Sequence, residues 1–316
     1  GKPAYGVGSG NVPAFIEKTA NVKKAVQDIV YGTTFDNGTL CSSEQAMIVD
    51  RSIREQAIKE AKAAGCYFVN TEEKKKLGNA ILNQGRINPE IVGKPATWIA
   101  KYAGFDVPDS TTVLVAECEA VGKSEPLSYE KLSPILAFYT VDGWLEGCHK
   151  CIDLLNFGGV GHTMVIHSND QEVIMKFALE KPAFRILCNT VSSIGAVGYT
   201  TALMPSLTLG PGTWGGSIIS ENVSAKHLMN IKYLAFEVNP VNQGNSVSNM
   251  GDTITRSQSY LQEIEERLRA RAGNPVINEP FKGTQASKPA EKKEEGAEPK
   301  TLSKAEIQKI IDEFKF

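Results

Sequence analysis

Residues 135–167 read Ile135-Leu-Ala-Phe-Tyr-Thr-Val141, then Asp-Gly-Trp-Leu-Glu-Gly-Cys-His-Lys-Cys-Ile-Asp-Leu-Leu-Asn-Phe157, then Gly-Gly-Val-Gly-His-Thr163-Met-Val-Ile-His167. Two short apolar runs enclose a segment in which Leu145, Cys148, Ile152 and Leu155 recur at helical spacing. Apolar runs of this length suit strands buried on both faces, and a helix between them predicts a parallel strand–helix–strand unit. The alternation continues in both directions. Val113–Ala116 and Arg185–Cys188 are further short apolar runs, Ala46–Asp50 reads as a strand, and Asp170–Glu180 reads as a helix. Helices are predicted over Asn21–Thr34, Ser52–Gly65, Thr71–Asn83 and Thr97–Gly104. This pattern predicts an α/β layered domain built on a largely parallel sheet.

Composition narrows the function classes. The 316 residues are 41% hydrophobic and 22% charged, with a formal net charge of -2. No basic stretch interleaved with aromatics points to nucleic acid. No run of about 18 apolar residues points to a transmembrane helix. The opening Gly-Lys-Pro-Ala-Tyr is neither a signal peptide nor an initiator Met, so an N-terminal portion is expected to be missing. Six cysteines at 41, 66, 118, 148, 151 and 188 are too thinly spread for a disulfide scaffold, and a cytoplasmic location is expected. Cys148-His-Lys-Cys151 has CxxC spacing, but Cys148 falls on the apolar stripe of its helix, so core packing is preferred and no metal is expected.

Beyond Val238 the composition changes. Residues 237–300 read as a linker with one short helix, Ser259–Ala272; its 282–300 part lacks large apolar residues and is expected to be disordered. At 301–316, Ser303 and Glu306 make a capping box, and Ile307, Ile310, Ile311 and Phe314 form one apolar face. Two readings stay open: the helix docks on a partner, or it packs back on its own domain.

Chemistry centres on Phe35-Asp-Asn-Gly-Thr-Leu-Cys-Ser-Ser-Glu-Gln45. Cys41 lies in a polar, Gly-containing turn, where partial exposure suits a nucleophile. A merely buried thiol is the competing reading. The glycines at 6, 8 and 10 form GxGxG rather than GxGxxG, and read as a turn beside the active site.

Five blocks in order carry a resemblance. They are Gly1–Pro13 with Thr34–Gln45; Ser124-Glu-Pro-Leu-Ser-Tyr-Glu-Lys-Leu-Ser-Pro134; Gly158-Gly-Val-Gly-His-Thr163; Pro205-Ser-Leu-Thr-Leu-Gly-Pro-Gly-Thr-Trp-Gly-Gly-Ser217; and Ser220–Lys232. Together they resemble the CoA-acylating aldehyde dehydrogenases, above all the aldehyde dehydrogenase part of bifunctional alcohol/aldehyde dehydrogenases, over about residues 1–235. The resemblance implies an aldehyde dehydrogenase-type catalytic domain over 1–236, three-layered around the sheet, with a return segment to a cofactor domain. It implies oxidation of a short aldehyde, with NAD as cofactor and CoA as co-substrate, through a thiohemiacetal and a thioester on Cys41. Glu130 matches the glutamate that holds the nicotinamide ribose, and Leu132 in the same block is placed at the cofactor. His162 matches the Gly-His-Thr histidine; its ordinary pKa near 6.5 suits assistance to the CoA thiol, and a core histidine is the equal alternative. His149 and His167 receive no role, and His227 is read as structural.

Departures matter too. The stretch Gly6–Pro13 lacks the glutamate base of hydrolytic relatives, which favours CoA over water as acyl acceptor. Most of the NAD site and the oxyanion-hole asparagine belong to a half that is absent, so this chain alone is expected to bind NAD poorly. Pro211 replaces a cysteine usual in close relatives. The resemblance also implies a homo-oligomer. The tail resembles encapsulation peptides, which implies a shell-protein partner at 301–316 and a place inside a bacterial microcompartment. Hydrolytic NAD(P)-dependent turnover and a non-catalytic cargo module are the alternatives.

Overall fold

The computed structural model describes residues 5–236, with 262, 265 and 266. The chain divides into two compact units, 1–233 and 234–316. In the first unit the elements follow in the order β1 (Val12–Ile16), α1 (Val22–Thr34), β2 (Glu44–Asp50), α2 (Arg54–Ala63), β3 (Cys66–Phe68), α3 (Thr71–Ile81) and the two-residue strands β4 (Leu82–Asn83) and β5 (Arg86–Ile87). Then come α4 (Ala96–Ala103), β6 (Val113–Glu117), β7 (Ile135–Val141), α5 (Gly143–Gly158), β8 (Gly161–His167), α6 (Gln171–Glu180), β9 (Ala183–Cys188) and α7 (Ser192–Ala196). In the second unit, the predicted helix at 259–272 is described only at Gln262, Glu265 and Glu266, which are helical and exposed. The readings of 282–300 and 301–316 lie outside the described residues.

Seven strands form one sheet in the order β3-β6-β7-β2-β1-β8-β9, and all neighbours run parallel. Successive side chains on a strand point to opposite faces. On β7, Ile135, Ala137, Tyr139 and Val141 join one core while Leu136 and Phe138 join the other. On β2, Ala46 and Ile48 face the first core and Met47 and Val49 the second. Helices α3–α6 cover the first face through Leu77, Ile99, Cys148, Leu155 and Phe177. Helices α1, α2 and α7 cover the second through Val26, Ile29, Ala57 and Ala196. The result is the three-layered α/β arrangement that the sequence predicts.

Local signals set the helix starts. Asn70 and Glu73 complete a capping box on α3, and Asp170 accepts from the Glu172 and Val173 amides on α6. Gly104, with φ 85°, ends α4 in the left-handed region.

Two expectations are corrected, and one strand is new. The helix expected over 71–83 stops at Ile81, because Gln84 (φ 50°) and Gly85 (φ 75°) form a tight turn pairing Leu82–Asn83 antiparallel with Arg86–Ile87. Leu145 does not face the core: it is 51% exposed, and the buried face of α5 is Gly147, Cys148, Cys151, Leu154 and Leu155. The true stripe is turned toward Cys151. Strand β1, which is not among the strands read from the sequence, is central and fully buried despite Pro13; the register shift between Val12 and Pro13 absorbs the missing N–H.

Candidate active site

Because the sheet is parallel, every strand start lies on one edge, and the predicted site residues gather there. Cys41 precedes β2, Glu130 and Leu132 precede β7, and His162 is the second residue of β8; Gly10, before β1, and Arg185, third in β9, join them there. This edge is where five distant segments can meet without long excursions.

The Cys41 turn is made by a left-handed run. Asp36 (φ 50°), Asn37 (φ 50°) and Gly38 (φ 75°) reverse the chain after α1, and a Cβ at Gly38 would press on Ser133 and Thr33 backbone atoms. Thr39 closes the turn onto Asp36, and the Ser43 amide donates to the Leu40 carbonyl at 2.9 Å. Ser42 Oγ, buried next to Cys41, donates to the Ser193 carbonyl at 3.1 Å. Cys41 itself is half-buried.

Gly10 is the hub. Its N–H donates to Glu130 Oε1 at 3.0 Å. A Cβ at position 10 would overlap the Cys41 carbonyl oxygen and lie 3.2 Å from His162 Nδ1. The segment carrying Gly10 therefore lies directly against the Cys41 turn. Next to it, Asn11 Nδ2 donates to the Ser128 and Leu154 carbonyls, tying the Glu130 loop to α5.

The Glu130 loop is fixed from below by Lys131. Its side chain is fully buried, and Nζ donates to the Leu127 and Tyr129 carbonyls at 2.9 and 2.7 Å. Burial pulls its pKa down to about 8. The Lys131 amide donates to Gln45 Oε1 at 2.9 Å, which joins this loop to the strand that follows Cys41. Leu132, half-buried, has φ 47°, and its carbonyl accepts from the Gly93 amide at 3.0 Å. Its left-handed backbone aims the chain into β7.

Electrostatics set the protonation states. Burial pushes Glu130 up to about 7, opposed by the Gly10 N–H and by Lys131. The Cys41 thiol is raised above its ordinary value, first by burial and second by the Glu130 charge; its own and the Ser42 backbone N–H groups and Arg185 act the other way. Glu130→Gln removes the second of the raising causes. We expect this variant to lower the Cys41 pKa, with the effect growing above about pH 7, where Glu130 is ionised. The pH profile of Cys41 alkylation by iodoacetamide checks it; an unchanged profile would contradict the coupling.

His162 is fully buried. Nδ1 lies 2.9 Å from Thr163 Oγ1, and Nε2 has no hydrogen-bond partner. Burial, then the Arg185 charge, pulls its pKa down to about 4. The expectation of an ordinary titration near neutrality is thus corrected: the imidazole is neutral at physiological pH because a cation there would be dry and beside Arg185. His167 is buried at the opposite end of β8, and its pKa falls to about 3. His227 caps its own turn, its Nδ1 accepting the Ser224 N–H at 2.9 Å and its carbonyl accepting from Tyr5 Oη at 2.6 Å.

Two further residues shape the site. Arg185 is buried, with Nε on Asn222 Oδ1 (2.8 Å), Nη1 on the His162 carbonyl (2.9 Å) and Nη2 on the Gly210 and Ser220 carbonyls (2.5 and 3.3 Å). It clamps the 210–222 segment against the His162 strand. Pro211 lies in that segment, buried, with Cγ 3.4 Å from where a Gly8 Cβ would stand. A charge inside the apolar run 183–188 was the available sign of Arg185.

Glu44 is the second. It is fully buried behind Cys41, Oε1 accepts the Ser192 N–H at 2.6 Å, and Oε2 has no hydrogen-bond partner. Burial raises its pKa to about 8, although the Ser192 N–H opposes this. The folded value lies above the unfolded one near 4.5, so the protonated form is the one folding favours. Its stabilising contribution is complete below about pH 4.5 and is lost as pH rises through about 8. Glu44→Gln should therefore be more stable than the parent at about pH 9, by on the order of a few kcal/mol, and near parity at about pH 5. Urea denaturation at the two pH values checks it.

Among the described residues, no group of three or more His, Cys, Asp or Glu is placed to hold a metal, and no helix is long and apolar enough to cross a membrane. None of the six cysteines is in a disulfide.

Residues 4–90 match the aldehyde dehydrogenase family. The chain is 45% identical over 242 residues to an aldehyde-alcohol dehydrogenase of Streptococcus pneumoniae, covering 73% of this chain and 27% of that protein. It is similar to the crystal structure of an acetylating aldehyde dehydrogenase from Geobacillus thermoglucosidasius, with 49% identity and a TM-score of 0.75, over 77% of this chain and 54% of that one. A propionaldehyde dehydrogenase of Rhodopseudomonas palustris, solved with bound propionyl-CoA, matches with a TM-score of 0.63 and 28% identity over 70% of this chain and 48% of that one. The chain thus spans from about a quarter to about half of these relatives. With the Cys41 turn, the Glu130 loop and the Gly-His-Thr strand meeting at one end of the sheet, the chain is similar to part of an aldehyde dehydrogenase domain, and the relatives it resembles include acetylating enzymes.

Proposed function

We propose that this chain supplies the thiol half of a CoA-acylating aldehyde dehydrogenase, converting a short aldehyde, CoA and NAD to acyl-CoA and NADH. The observation that carries the reading is the convergence of Cys41, Gly10 and Glu130 at the strand starts. Cys41 is the nucleophile: its thiolate attacks the aldehyde carbon, and the sulfur later holds the acyl group as a thioester. Backbone N–H groups and Arg185 favour the thiolate that this attack needs. The CoA thiol then takes the acyl group, and the same steps run backwards from acyl-CoA.

The residues present fit one end of NAD. Glu130 is half-exposed, and only its Oε1 is engaged by the Gly10 N–H, so its carboxylate can accept a ribose hydroxyl, with Leu132 shaping the loop beneath. When bound, NAD supplies the hydride acceptor. His162, neutral and with Nε2 unengaged, orients the CoA; its lowered pKa makes it a weak acceptor for the thiol proton. The helix pattern at 301–316 supports docking on a microcompartment shell protein, and homo-oligomerisation belongs to the same reading. If deletion of 301–316 left shell co-purification intact, that part would fail.

A hydrolytic reading has one observation in its favour, the Glu130 carboxylate close enough to shift Cys41. Product analysis separates the two. With the remainder of the enzyme restored, NADH formation from acetaldehyde should require CoA and yield acetyl-CoA. CoA-independent turnover to acetate would favour hydrolysis.

A further inference from the structure

Away from the site, a second sulfur centre lies inside the layer formed by α5 and α6. Cys148 and Cys151 are fully buried on α5, and Lys181 is 2% exposed just beyond the end of α6. The Lys181 Nζ donates to the Cys148 Sγ. The same nitrogen stands 4.0 Å from the centroid of the Phe177 ring, which stacks on Phe15 with centroids 5.5 Å apart. The ring of Phe15 in turn lies against Gly147, where any Cβ would collide with it. A lysine nitrogen and a cysteine sulfur are therefore held in contact inside an aromatic pocket, and side chains this well packed have few other places to go.

We propose that Lys181 and Cys148 form an oxidation site, at which dioxygen joins the two side chains through one bridging oxygen atom. Counted from the thiol and the neutral amine, the O–O bond breaks and one oxygen enters between sulfur and nitrogen as new S–O and O–N bonds. The thiol hydrogen and one amine hydrogen leave with the other oxygen as water. Sulfur and nitrogen each give two electrons, and dioxygen accepts four. Burial keeps bulky reagents and reducing proteins out but not a small apolar gas. Two equivalents of dithiol that reach the bridge, once the chain is opened, supply the four electrons and four protons that return thiol and amine with loss of the oxygen as water, each dithiol leaving as its disulfide.

The bridge would staple α5 to the segment that leads directly into β9. Arg185 lies four residues beyond Lys181 and holds the His162 carbonyl. The staple closes the loop from 148 to 181, and cross-links of this span restrict the unfolded chain. The oxidised form should melt higher by roughly 5–10 °C.

The test is intact-mass and peptide-mapping analysis of the 316-residue chain purified in air and, in parallel, without oxygen. The expected species gains one oxygen and loses two hydrogens, maps to a Cys148–Lys181 cross-linked peptide pair, and reverts under denaturing dithiothreitol. Cys148→Ala and Lys181→Arg should each abolish it, and Cys151→Ala should retain it. Loss of two hydrogens alone, mapping to Cys148 and Cys151, would show a disulfide and overturn the proposal. So would an unshifted mass in air, or a bridge that survives in Lys181→Arg.

Discussion

Arg185→Met should destabilise the protein by about 3 kcal/mol, the scale for leaving more than one buried acceptor without its donor. The guanidinium serves four acceptors at once: Asn222 Oδ1 and the carbonyls of His162, Gly210 and Ser220. Met fills a similar volume but leaves these acceptors without their donors, at about 1–3 kcal/mol for each that water cannot reach. Those costs are not additive, because the freed 210–222 segment can relax outward. Lys would not rescue, since one ammonium cannot reproduce a planar fork spread over four oxygens. The melting temperature should fall by about 10 °C. The variant should also raise the Cys41 pKa, because Arg185 is among the groups that lower it. Thermal unfolding and thiol alkylation read the two effects separately; a drop in stability with an unchanged thiol would place Arg185 in the scaffold alone.

Gly10→Ala should cost about 100-fold in acyl transfer at Cys41, the scale of a misplacement of about 1 Å. The Cβ would overlap the Cys41 carbonyl oxygen and crowd His162 Nδ1. The obstacle is backbone, so no rotamer change relieves it. Either the segment around Gly10 or the Cys41 turn must shift. Moving the first breaks the 3.0 Å Gly10–Glu130 bond, and moving the second strains the Ser42–Ser193 bond. Gly10 is not in the left-handed region, so the penalty is steric rather than torsional. Acyl transfer rates with circular dichroism as a fold control check this. Parent-like rates would show that the turn has slack.

These two residues also mark how far the sequence could be read. The strand–helix alternation over 135–167 was legible because buried parallel strands and an intervening amphipathic helix have different periods. Strand β1 was hidden by Pro13 and by the glycines before it, and β3 by its three-residue length at the sheet edge. Cys41, Glu130 and His162 were marked by motif resemblance, and the parallel sheet explains why they meet. The hydrogen bond from Lys131 to Gln45 and the clamp of Arg185 link residues 86 and more than 20 positions apart, and no local pattern encodes such pairings. The depressed pKa of His162 is likewise a product of tertiary burial, invisible in Gly-His-Thr itself.

The most direct test of the central claim needs no NAD. The chain is incubated with acetyl-CoA, and the modified residue is located by peptide mass spectrometry. A thioester on Cys41, formed with release of free CoA and absent from Cys41→Ala, is the predicted result. Label confined to the exposed Cys188, or equal labelling in Cys41→Ala, would contradict it.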